Sequence, residues 1–366
     1  MITVMHIIDS LGTGGSEMML YKLTANMPRE QFRNVIVVLS QDDSLLSRFT
    51  ASGLEVHFIG NSLKKLRAVT KQLHPDIIYG WLYRSMFWAW VTNQCFAPRA
   101  KLIWGIRSSL YCYSKKSWFS RSALKILGLL SKIPDKIIYN SHVSRDQHTR
   151  IGYSLKNSEV IANGFELIQP IDSQELTREQ LGIKPTDFVI GIVARVHPDK
   201  GYDVFLQIAK RIYRHHPEAQ FILVGKGTDQ LPQTMLEFFD GNALKNHCHF
   251  LGERRDALKV MRLFDVAVSS SHTEAFPNVV GEAMSCAIPV VVADVGDARH
   301  LVGDTEWLFE ANHVDQAVAL LTSLIAMTAE QRHEIGAKLQ KHLHHHFSIE
   351  TIGVQYAELF QSLVRE

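Results

Sequence analysis

The stretch DVAVSSSHTEAFPNVVGEAMSCAIPVVVAD, residues 265–294, contains the two kinds of segment from which the whole chain is built. Its apolar runs at 266–268 and 290–292 have the length and the β-branched composition of buried strands. Between them, Pro277 suits the first turn of a helix, where its fixed φ and missing N–H carry no penalty. A strand, a helix and a second strand in this order predict a parallel sheet covered by helices.

The same alternation extends outward from this stretch through both halves of the chain. In the first half, strand-length apolar runs fall at 4–8, 35–39, 56–59, 77–81, 102–106, 137–139 and 160–162. A polar stretch at 165–185 follows, and a second series of runs falls at 189–193, 221–224, 249–251, 266–268 and 290–292. Helical patterns at 316–327, 330–346 and 349–364 end the chain. The pattern predicts two doubly wound α/β domains, as 366 residues exceed what one core usually supports.

The composition excludes several classes of protein. Hydrophobic residues make up 46% of the chain and charged residues 21%, as in ordinary globular proteins. The 39 basic and 37 acidic residues nearly cancel, which argues against nucleic acid as a partner. The N-terminus resembles a first strand more than a signal peptide, and no apolar run is long enough to predict a transmembrane helix. A reduced, cytoplasmic protein is expected from four cysteines without metal-ligand spacing, Cys95, Cys112, Cys248 and Cys286.

A glycine loop, GTGGSE at residues 12–17, lies between the first predicted strand and a helix that starts near Ser16. A turn of this kind directs backbone N–H groups and the helix dipole at an anion, which suits a diphosphate. The nicotinamide-binding pattern would require a third glycine where Glu17 stands, so a dehydrogenase is disfavoured. The alternative is that Gly14 and Gly15 only permit a tight turn.

Two cations flank a short loop in the segment GIVARVHPDKGYD, residues 191–203. Arg195 ends a predicted strand, and Lys200 precedes a helix that starts near Gly201. Cations five residues apart across a tight loop can face one point, where they would stabilise the growing charge of a diphosphate leaving group. The alternative is solvated surface charge.

Two carboxylates flank a predicted helix start in EAFPNVVGEAM, residues 274–284. Glu274 is expected in the loop and Glu282 inside the helix, separated by about the length of a diphosphate linker at roughly 1.5 Å per residue. One carboxylate could meet a sugar and the other a ribose, with free N–H groups of residues 276–279 between them for phosphate oxygens. The alternative is that Glu274 caps the helix and Glu282 is a solvated helix residue.

The pattern as a whole closely resembles glycosyltransferase family 4, a family of retaining enzymes, and the resemblance covers nearly the whole chain. Glu274 and Glu282 match its paired glutamates, and Arg195 and Lys200 match its diphosphate-binding pair. Further matching positions are Gly14 and Gly15, Asn163 and Gly164, Gly252, Asp256, Asp265 and the segment 289–296.

The resemblance implies a GT-B fold, in which two Rossmann-like domains face each other across a cleft. Residues 1–164 would form the acceptor domain and 165–348 the nucleotide-sugar domain, with a C-terminal helix at 349–366 packing back on the first. A nucleotide-diphosphate sugar would be the co-substrate, and no metal or other cofactor would be required. Glu274, Arg195 and Lys200 would be catalytic, with Glu274 at the sugar hydroxyls and the two cations at the phosphates. Glu282 would bind the ribose, and the other donor-binding residues would be Gly14, Gly15, Gly225, Ala275, Phe276, Pro277 and Asn278.

Some positions depart from the family's commonest pattern. Ala275 replaces a usual glycine, and residues 296–300 replace a usual double glycine followed by glutamate. Many relatives carry a histidine after the fifth strand, where this chain has Arg107, which cannot act as a general base. Acceptor-binding candidates are Arg107, Trp81, Tyr83 and Arg84, although Trp81 is equally well explained as a core residue.

The expected reaction is a retaining transfer in which the acceptor hydroxyl attacks from the face that the nucleotide diphosphate leaves. The leaving phosphate would take the acceptor proton, so no dedicated base is needed. A nucleotide-sugar epimerase of the same fold is the first alternative. A two-domain sugar-binding protein without catalysis is a more distant one, since that class is normally exported.

The segment 99–136 is strongly basic, with nine Lys and Arg residues against the single acidic Asp135. Its predicted helix, 116–130, combines basic and aromatic residues, a composition found in helices that lie on anionic membranes. Bacterial relatives often extend lipid-linked glycans, so we expect a peripheral protein on the inner face of the cytoplasmic membrane. Its acceptor would be a lipid-linked, lipopolysaccharide or capsule glycan. The alternative is an ordinary amphipathic helix whose apolar face packs on the sheet.

Overall fold

Two parallel sheets form the centres of two units in the computed structural model, which describes residues 1–111, 117–166, 176–239, 243–303 and 305–365. The first unit comprises Met1–Gly164 and Ile349–Glu366, and the second comprises Phe165–Ser348. Every pairing between the named strands is parallel. The α/β fold class predicted from the alternating pattern is therefore confirmed.

The first sheet has seven strands, and each apolar run of the first half forms or overlaps one of them. They are β1 (Ile2–Ile8), β2 (Phe32–Val38), β3 (Glu55–Phe58), β4 (Ile77–Trp81), β5 (Lys101–Ile106), β6 (Lys136–Tyr139) and β7 (Ser158–Val160). Their order is β3-β2-β1-β4-β5-β6-β7, so the chain order reverses between β1 and β4. Met5 of β1 aligns with Val35 of β2 and Ile78 of β4, and all three are fully buried. Burial on both faces explains the continuously apolar runs.

Among the described residues before position 164, six α-helices accompany this sheet. They are α1 (Gly15–Asn26), α2 (Leu46–Ala51), α3 (Leu63–Leu73), α4 (Leu82–Phe96), α5 (Trp118–Leu130) and α6 (His142–Arg150). Three of them are preceded by a serine whose hydroxyl accepts a hydrogen bond from a first-turn amide, namely Ser62, Ser117 and Ser141. The helix predicted at 116–130 corresponds to α5, and Cys112, Lys115 and Lys116 lie outside the described residues.

The second sheet has six strands, in the order β10-β9-β8-β11-β12-β13. They are β8 (Phe188–Val193), β9 (Ala219–Val224), β10 (Cys248–Phe250), β11 (Val266–Ser269), β12 (Val290–Ala293) and β13 (Leu308–Phe309). The first five correspond to the predicted runs. The edge strand β13 was not predicted, because two residues are too short to produce a strand pattern.

In the part of the second unit that the structure describes, seven α-helices accompany the sheet. They are α7 (Tyr202–His215), α8 (Gln233–Leu236), α9 (Ala257–Met261), α10 (Asn278–Ser285), α11 (Ala298–Val302), α12 (Val314–Ala326) and α13 (Ala329–Phe347). The longest, α13, begins with a capping box in which the side chains of Thr328 and Gln331 each accept the other residue's backbone N–H.

The last helix, α14 (Ile349–Arg365), belongs to the first unit and contacts α1 and β1. Its buried residues join the core of that unit, and they are Ile349, Ile352, Tyr356, Leu359, Phe360 and Leu363. Within the ranges that the structure describes, no helix combines the length and the apolar character needed to cross a bilayer.

Candidate active site

The second sheet reverses its chain order between β8 and β11, with β9 and β10 on one side and β12 and β13 on the other. In open α/β sheets, ligands bind beyond the carboxyl ends of the strands at such a reversal. The loop after β8 carries Arg195 and Lys200, and the loop after β11 carries Glu274. The topology therefore brings together the two motifs that the sequence singled out separately.

Lys200 and Glu274 form a direct ion pair. Their Nζ and Oε1 atoms are 2.5 Å apart, and the hydroxyl of Ser271 donates to the same Oε1 at 2.8 Å. The side chains are only 24% and 14% exposed. An unpaired charge this deeply buried would destabilise the folded protein. Each side chain therefore compensates the charge of the other. The sequence predicted a role for each residue but not this contact.

The loops after β8 and β11 are fixed against each other by glycine geometry and hydrogen bonds. Gly201 has a φ of 61°, and a Cβ there would lie 1.9 Å from the carbonyl oxygen of Ser270. The hydroxyl of Ser270 donates to the carbonyl of Gly201 at 2.9 Å, and the amide of His272 donates to the carbonyl of Asp199 at 2.9 Å. Only glycine fits this approach, so the position of Lys200 depends on Gly201.

At the start of α10, not all of the backbone amides that were predicted to be free are available. Pro277, the residue before the helix, has no N–H, and the amide of Asn278 donates to the carbonyl of Phe276 at 3.0 Å. The expectation of free N–H groups throughout 276–279 is therefore wrong, because the turn at Pro277 uses one of them. The side chains of Ala275 and Phe276 are buried, so any contact they make with a donor would involve the backbone.

The remaining predicted donor residues of the second unit have different surroundings. Arg195 is exposed, and its side chain forms no ion pair or hydrogen bond within the described ranges. Glu282 lies within α10 and is partly exposed. The amide of Gly225 donates to the carbonyl of Gly252 at 2.7 Å, and a Cβ at Gly225 would lie 2.0 Å from the carbonyl oxygen of Ala194. The missing Cβ of Gly225 therefore lets the end of β9 approach the residue after β8, and its amide is already used by the segment after β10.

The first unit has its own reversal, between β1 and β4. Gly14 and Gly15 lie there, as the residue before α1 and its first residue. Burial, with smaller contributions from Asp42 and Asp9, raises the pKa of Glu17 in the first turn of the helix. These carboxylates make the glycine loop less suited to a diphosphate than its sequence indicated.

Arg84 supplies positive charge at the same reversal. Its guanidinium donates to Asp9 Oδ1 at 2.7 Å and to Asn61 Oδ1 at 2.6 Å, and these contacts are exposed. Arg84 is thus accessible to a ligand of the first unit, and its role in acceptor binding stays a prediction.

Trp81 and Arg107 lie in the core of the first unit. Trp81 is fully buried, and the guanidinium carbon of Arg107 is 4.3 Å from the centroid of its ring. Arg107 also donates to Tyr356 OH at 2.6 Å and to Asn163 Oδ1. The core interpretation of Trp81 holds, and Arg107 connects α14 to the sheet, a role that the sequence did not indicate.

Tyr83, the fourth predicted acceptor residue, contacts two residues that the sequence did not single out. Its hydroxyl lies 3.0 Å from Ser108 Oγ and 2.7 Å from His148 Nε2. Ser108 follows β5, and His148 lies in α6. Nothing in the sequence pattern connects these three positions, which the sheet brings together from three separate segments.

Two family models match the chain, one in each unit. The model for glycosyltransferase family 4 matches residues 13–168, and the model for glycosyl transferases group 1 matches residues 173–342. The chain belongs to glycosyltransferase family 4. This family 4 chain is similar to an uncharacterised glycosyltransferase of Methanocaldococcus jannaschii, with 25% identity over 63% of this chain and 58% of the relative.

A second relative of this chain is the Escherichia coli UDP-Gal:α-D-GlcNAc-diphosphoundecaprenol α-1,3-galactosyltransferase. The two are 28% identical over 47% of this chain and 45% of the relative. The chain thus spans about half the length of the curated relatives it matches.

Solved structures show that the GT-B fold extends over the whole chain. Anabaena HepE, solved in complex with UDP and glucose, has a TM-score of 0.84 and 23% identity over 99% of this chain and 100% of its own. The apo form of the lipopolysaccharide outer core galactosyltransferase WaaB has a TM-score of 0.71 and 15% identity over 99% and 100%. This structural similarity confirms the expected GT-B fold class.

Proposed function

We propose that this protein transfers a sugar from a nucleotide-diphosphate donor to a hydroxyl group of an acceptor, with retention of the anomeric configuration. The observation that carries the proposal is the Lys200–Glu274 pair at the reversal of the second sheet. A cation and a carboxylate in contact there offer one group to a phosphate and the other to sugar hydroxyls. Two solved structures support a UDP-sugar donor, since Anabaena HepE was crystallised with UDP and glucose and with UDP-glucose.

In the proposed reaction, Arg195 and Lys200 stabilise the negative charge that develops on the leaving diphosphate. Arg195 is exposed and accessible, whereas Lys200 is held in place by Glu274. Hydrogen-bond donors that are already oriented need no reorganisation when the negative charge develops, and this is the source of their catalytic effect. Glu282 binds the ribose, and the departing phosphate accepts the proton of the acceptor hydroxyl. The proposal assigns no role to a metal, so chelation by EDTA should leave turnover unchanged.

We further propose that the acceptor is lipid-linked and that α5 holds the protein on an anionic membrane. Packing within the first unit accounts for Leu124 and Leu127, which are buried. It does not account for Trp118, Phe119 and Leu129, which are 73%, 78% and 78% exposed. Large apolar side chains are rarely exposed together unless a partner covers them.

The charge around α5 favours a lipid surface as that partner. Arg121, Lys125 and Lys132 are exposed beside the apolar residues. Basic side chains next to exposed aromatic rings are the composition of helices that lie in the headgroup layer of anionic membranes. The E. coli relative, which is named for its GlcNAc-diphosphoundecaprenol substrate, supports a lipid-linked acceptor. Attachment at the cytoplasmic membrane face is part of the same proposal.

The decisive experiment incubates the protein with UDP-galactose or UDP-glucose, with and without GlcNAc attached through a diphosphate to an undecyl chain. We expect a disaccharide product that needs both substrates and has an α-linkage by NMR. An epimerised nucleotide sugar formed from the donor alone would favour an epimerase. Binding of the donor without any turnover would favour a sugar-binding protein, and a β-linked product would contradict retention.

A further inference from the structure

A chain of hydrogen bonds in the first unit begins at Ser108 and ends at the backbone of Ser144. Ser108 Oγ lies 3.0 Å from Tyr83 OH, and Tyr83 OH lies 2.7 Å from His148 Nε2. On the other side of the imidazole ring, Nδ1 lies 2.7 Å from the carbonyl oxygen of Ser144. Four residues on three segments are thus connected through one histidine ring.

The direction of this chain follows from its last member. A carbonyl oxygen can only accept, so Nδ1 of His148 must carry the ring proton. Burial lowers the pKa of His148 to about 4, which keeps the ring neutral near physiological pH. Nε2 of the neutral ring can only accept, so Tyr83 donates to it. The Tyr83 oxygen then accepts the hydroxyl proton of Ser108.

Ser108 has therefore used its only proton, and any further hydrogen bond at its oxygen must come from a donor. Ser108 remains partly exposed, whereas His148 is fully buried. Ser108 follows β5 and Tyr83 follows β4, so both lie beyond the carboxyl ends of parallel strands, where ligands of such sheets bind. A ligand at this point must present a hydroxyl or an amine, because an unprotonated phosphate or carboxylate has nothing to donate.

We propose that Ser108 binds a non-reacting hydroxyl of the acceptor sugar, with Tyr83 and His148 acting as positioning residues that fix the serine as a hydrogen-bond acceptor. The inference rests on the proposed sugar transfer and identifies part of its acceptor site. The bound hydroxyl is not the nucleophile, because a neutral imidazole of low basicity at the end of the chain is unsuited to removing a proton during transfer. The chain therefore orients the acceptor rather than activating it.

The test compares Ser108→Ala with Ser108→Thr and with the matched control Ser109→Ala, which removes the same atom from the neighbouring, equally half-buried serine. The substrates are UDP-galactose or UDP-glucose, whichever the wild type uses, and GlcNAc-diphosphate-undecyl. Loss of one hydrogen bond should raise the acceptor KM of Ser108→Ala roughly fivefold, with the donor KM unchanged. Ser108→Thr, which keeps the hydroxyl, and Ser109→Ala should stay within twofold of wild type. Tyr83→Phe should raise the acceptor KM by a smaller factor, because Ser108 remains but is no longer oriented.

Acceptor analogues that lack one hydroxyl each provide a second readout. One deoxy analogue should bind wild type as weakly as the intact acceptor binds Ser108→Ala, and should lose nothing further in that variant. An acceptor KM in Ser108→Ala equal to that of Ser109→Ala would overturn the inference while leaving the transferase proposal intact. A wild-type protein without transfer would overturn both. Independently of activity, a long-range ¹H–¹⁵N spectrum should show His148 protonated at Nδ1, and a proton at Nε2 alone would also overturn the inference.

Discussion

At the scale of single residues, the proposed donor site depends on the positive charges of Lys200 and Arg195. Lys200→Ala and Arg195→Ala should each lower kcat about a hundredfold or more, because both contacts strengthen as negative charge develops. Donor KM should change much less. The control is Lys245→Ala, which removes an exposed lysine elsewhere in the same unit. Steady-state kinetics measure all three variants, and near-wild-type kcat in both site variants would exclude the proposed donor site.

The two glutamates should differ in their effects on kinetics. Glu274→Gln keeps the shape of the side chain but removes the charge that pairs with Lys200. It should mainly lower kcat, since contacts at the reacting sugar change between ground and transition states. Glu282→Gln should mainly raise the donor KM, since a ribose contact is the same in both states. Identical kinetic changes in the two variants would contradict this division of roles.

Arg107 has a structural role that can be measured without substrate. Its guanidinium donates to the hydroxyl of Tyr356, so Tyr356→Phe removes a hydrogen bond to a charged group and should cost about 2 kcal/mol of unfolding free energy. Arg107→Met also leaves Asn163 without this donor and should cost more, about 3 kcal/mol. Urea unfolding measures both changes. Equal stability of Tyr356→Phe and wild type would show that the hydrogen bond contributes nothing net.

Contacts that depend on distant parts of the chain could not be predicted from residue types and spacing. Glu274 and Lys200 were recognisable because their residue types and spacing carry chemistry. The buried position of Arg107 was not, because its contact with Tyr356 depends on α14 returning from the far end of the chain. For Trp81, the core position was one of the two readings that the sequence offered. Likewise, the donated amide of Asn278 follows from the turn geometry at Pro277 and not from residue type.

At the scale of elements, strands were predictable where burial on both faces produced continuous apolar runs. β4 was located at both ends, and β1 and β5 to within two residues at either end. β13 was missed, because its pairing with β12 at two positions determines it and its own sequence does not. The order of strands in each sheet, and hence the reversals, also depends on pairings that a single sequence does not reveal.

Membrane binding should depend on the basic and aromatic residues in and beside α5. Reversing three charges to glutamate, at Arg121, Lys125 and Lys132, should weaken binding to anionic liposomes more than a hundredfold, at roughly 1 kcal/mol per basic residue. Trp118→Ser with Phe119→Ser should weaken binding even at low salt, because it removes the inserting rings. Liposome co-sedimentation measures both effects.

The matched control for α5 lies on α3 of the same unit. Lys64, Lys65 and Arg67 are also exposed, and reversing them changes the net charge by the same amount. If binding depends on α5 itself, this control should bind nearly as well as wild type. An equal loss in both triple variants would mean that only net charge matters, and a wild type that ignores anionic liposomes at low salt would refute membrane attachment.

At the scale of the whole molecule, the two units differ in their buried histidines. His6 and His148 in the first unit are fully buried, and desolvation lowers the pKa of each to about 4. In the second unit, burial also lowers the pKa of His249 and of His342, but these side chains are only partly buried. Acid should therefore destabilise the first unit more than the second.

The size of this effect follows from proton binding. The unfolded chain keeps the ordinary histidine pKa of 6.5, so between about pH 6.5 and 4 it binds more protons than the folded chain. Stability present above pH 6.5 is lost as the pH falls through this window, by about 2 kcal/mol per histidine at pH 5.

Trp307→Phe leaves tryptophans only in the first unit, so its fluorescence reports that unit. Its urea midpoint should fall markedly between pH 7 and pH 5. Adding His148→Gln should flatten this dependence, because one of the two titrating rings is gone, whereas replacing the exposed His142 should leave it unchanged. A midpoint independent of pH would mean that these rings are accessible to protons and water in the folded protein.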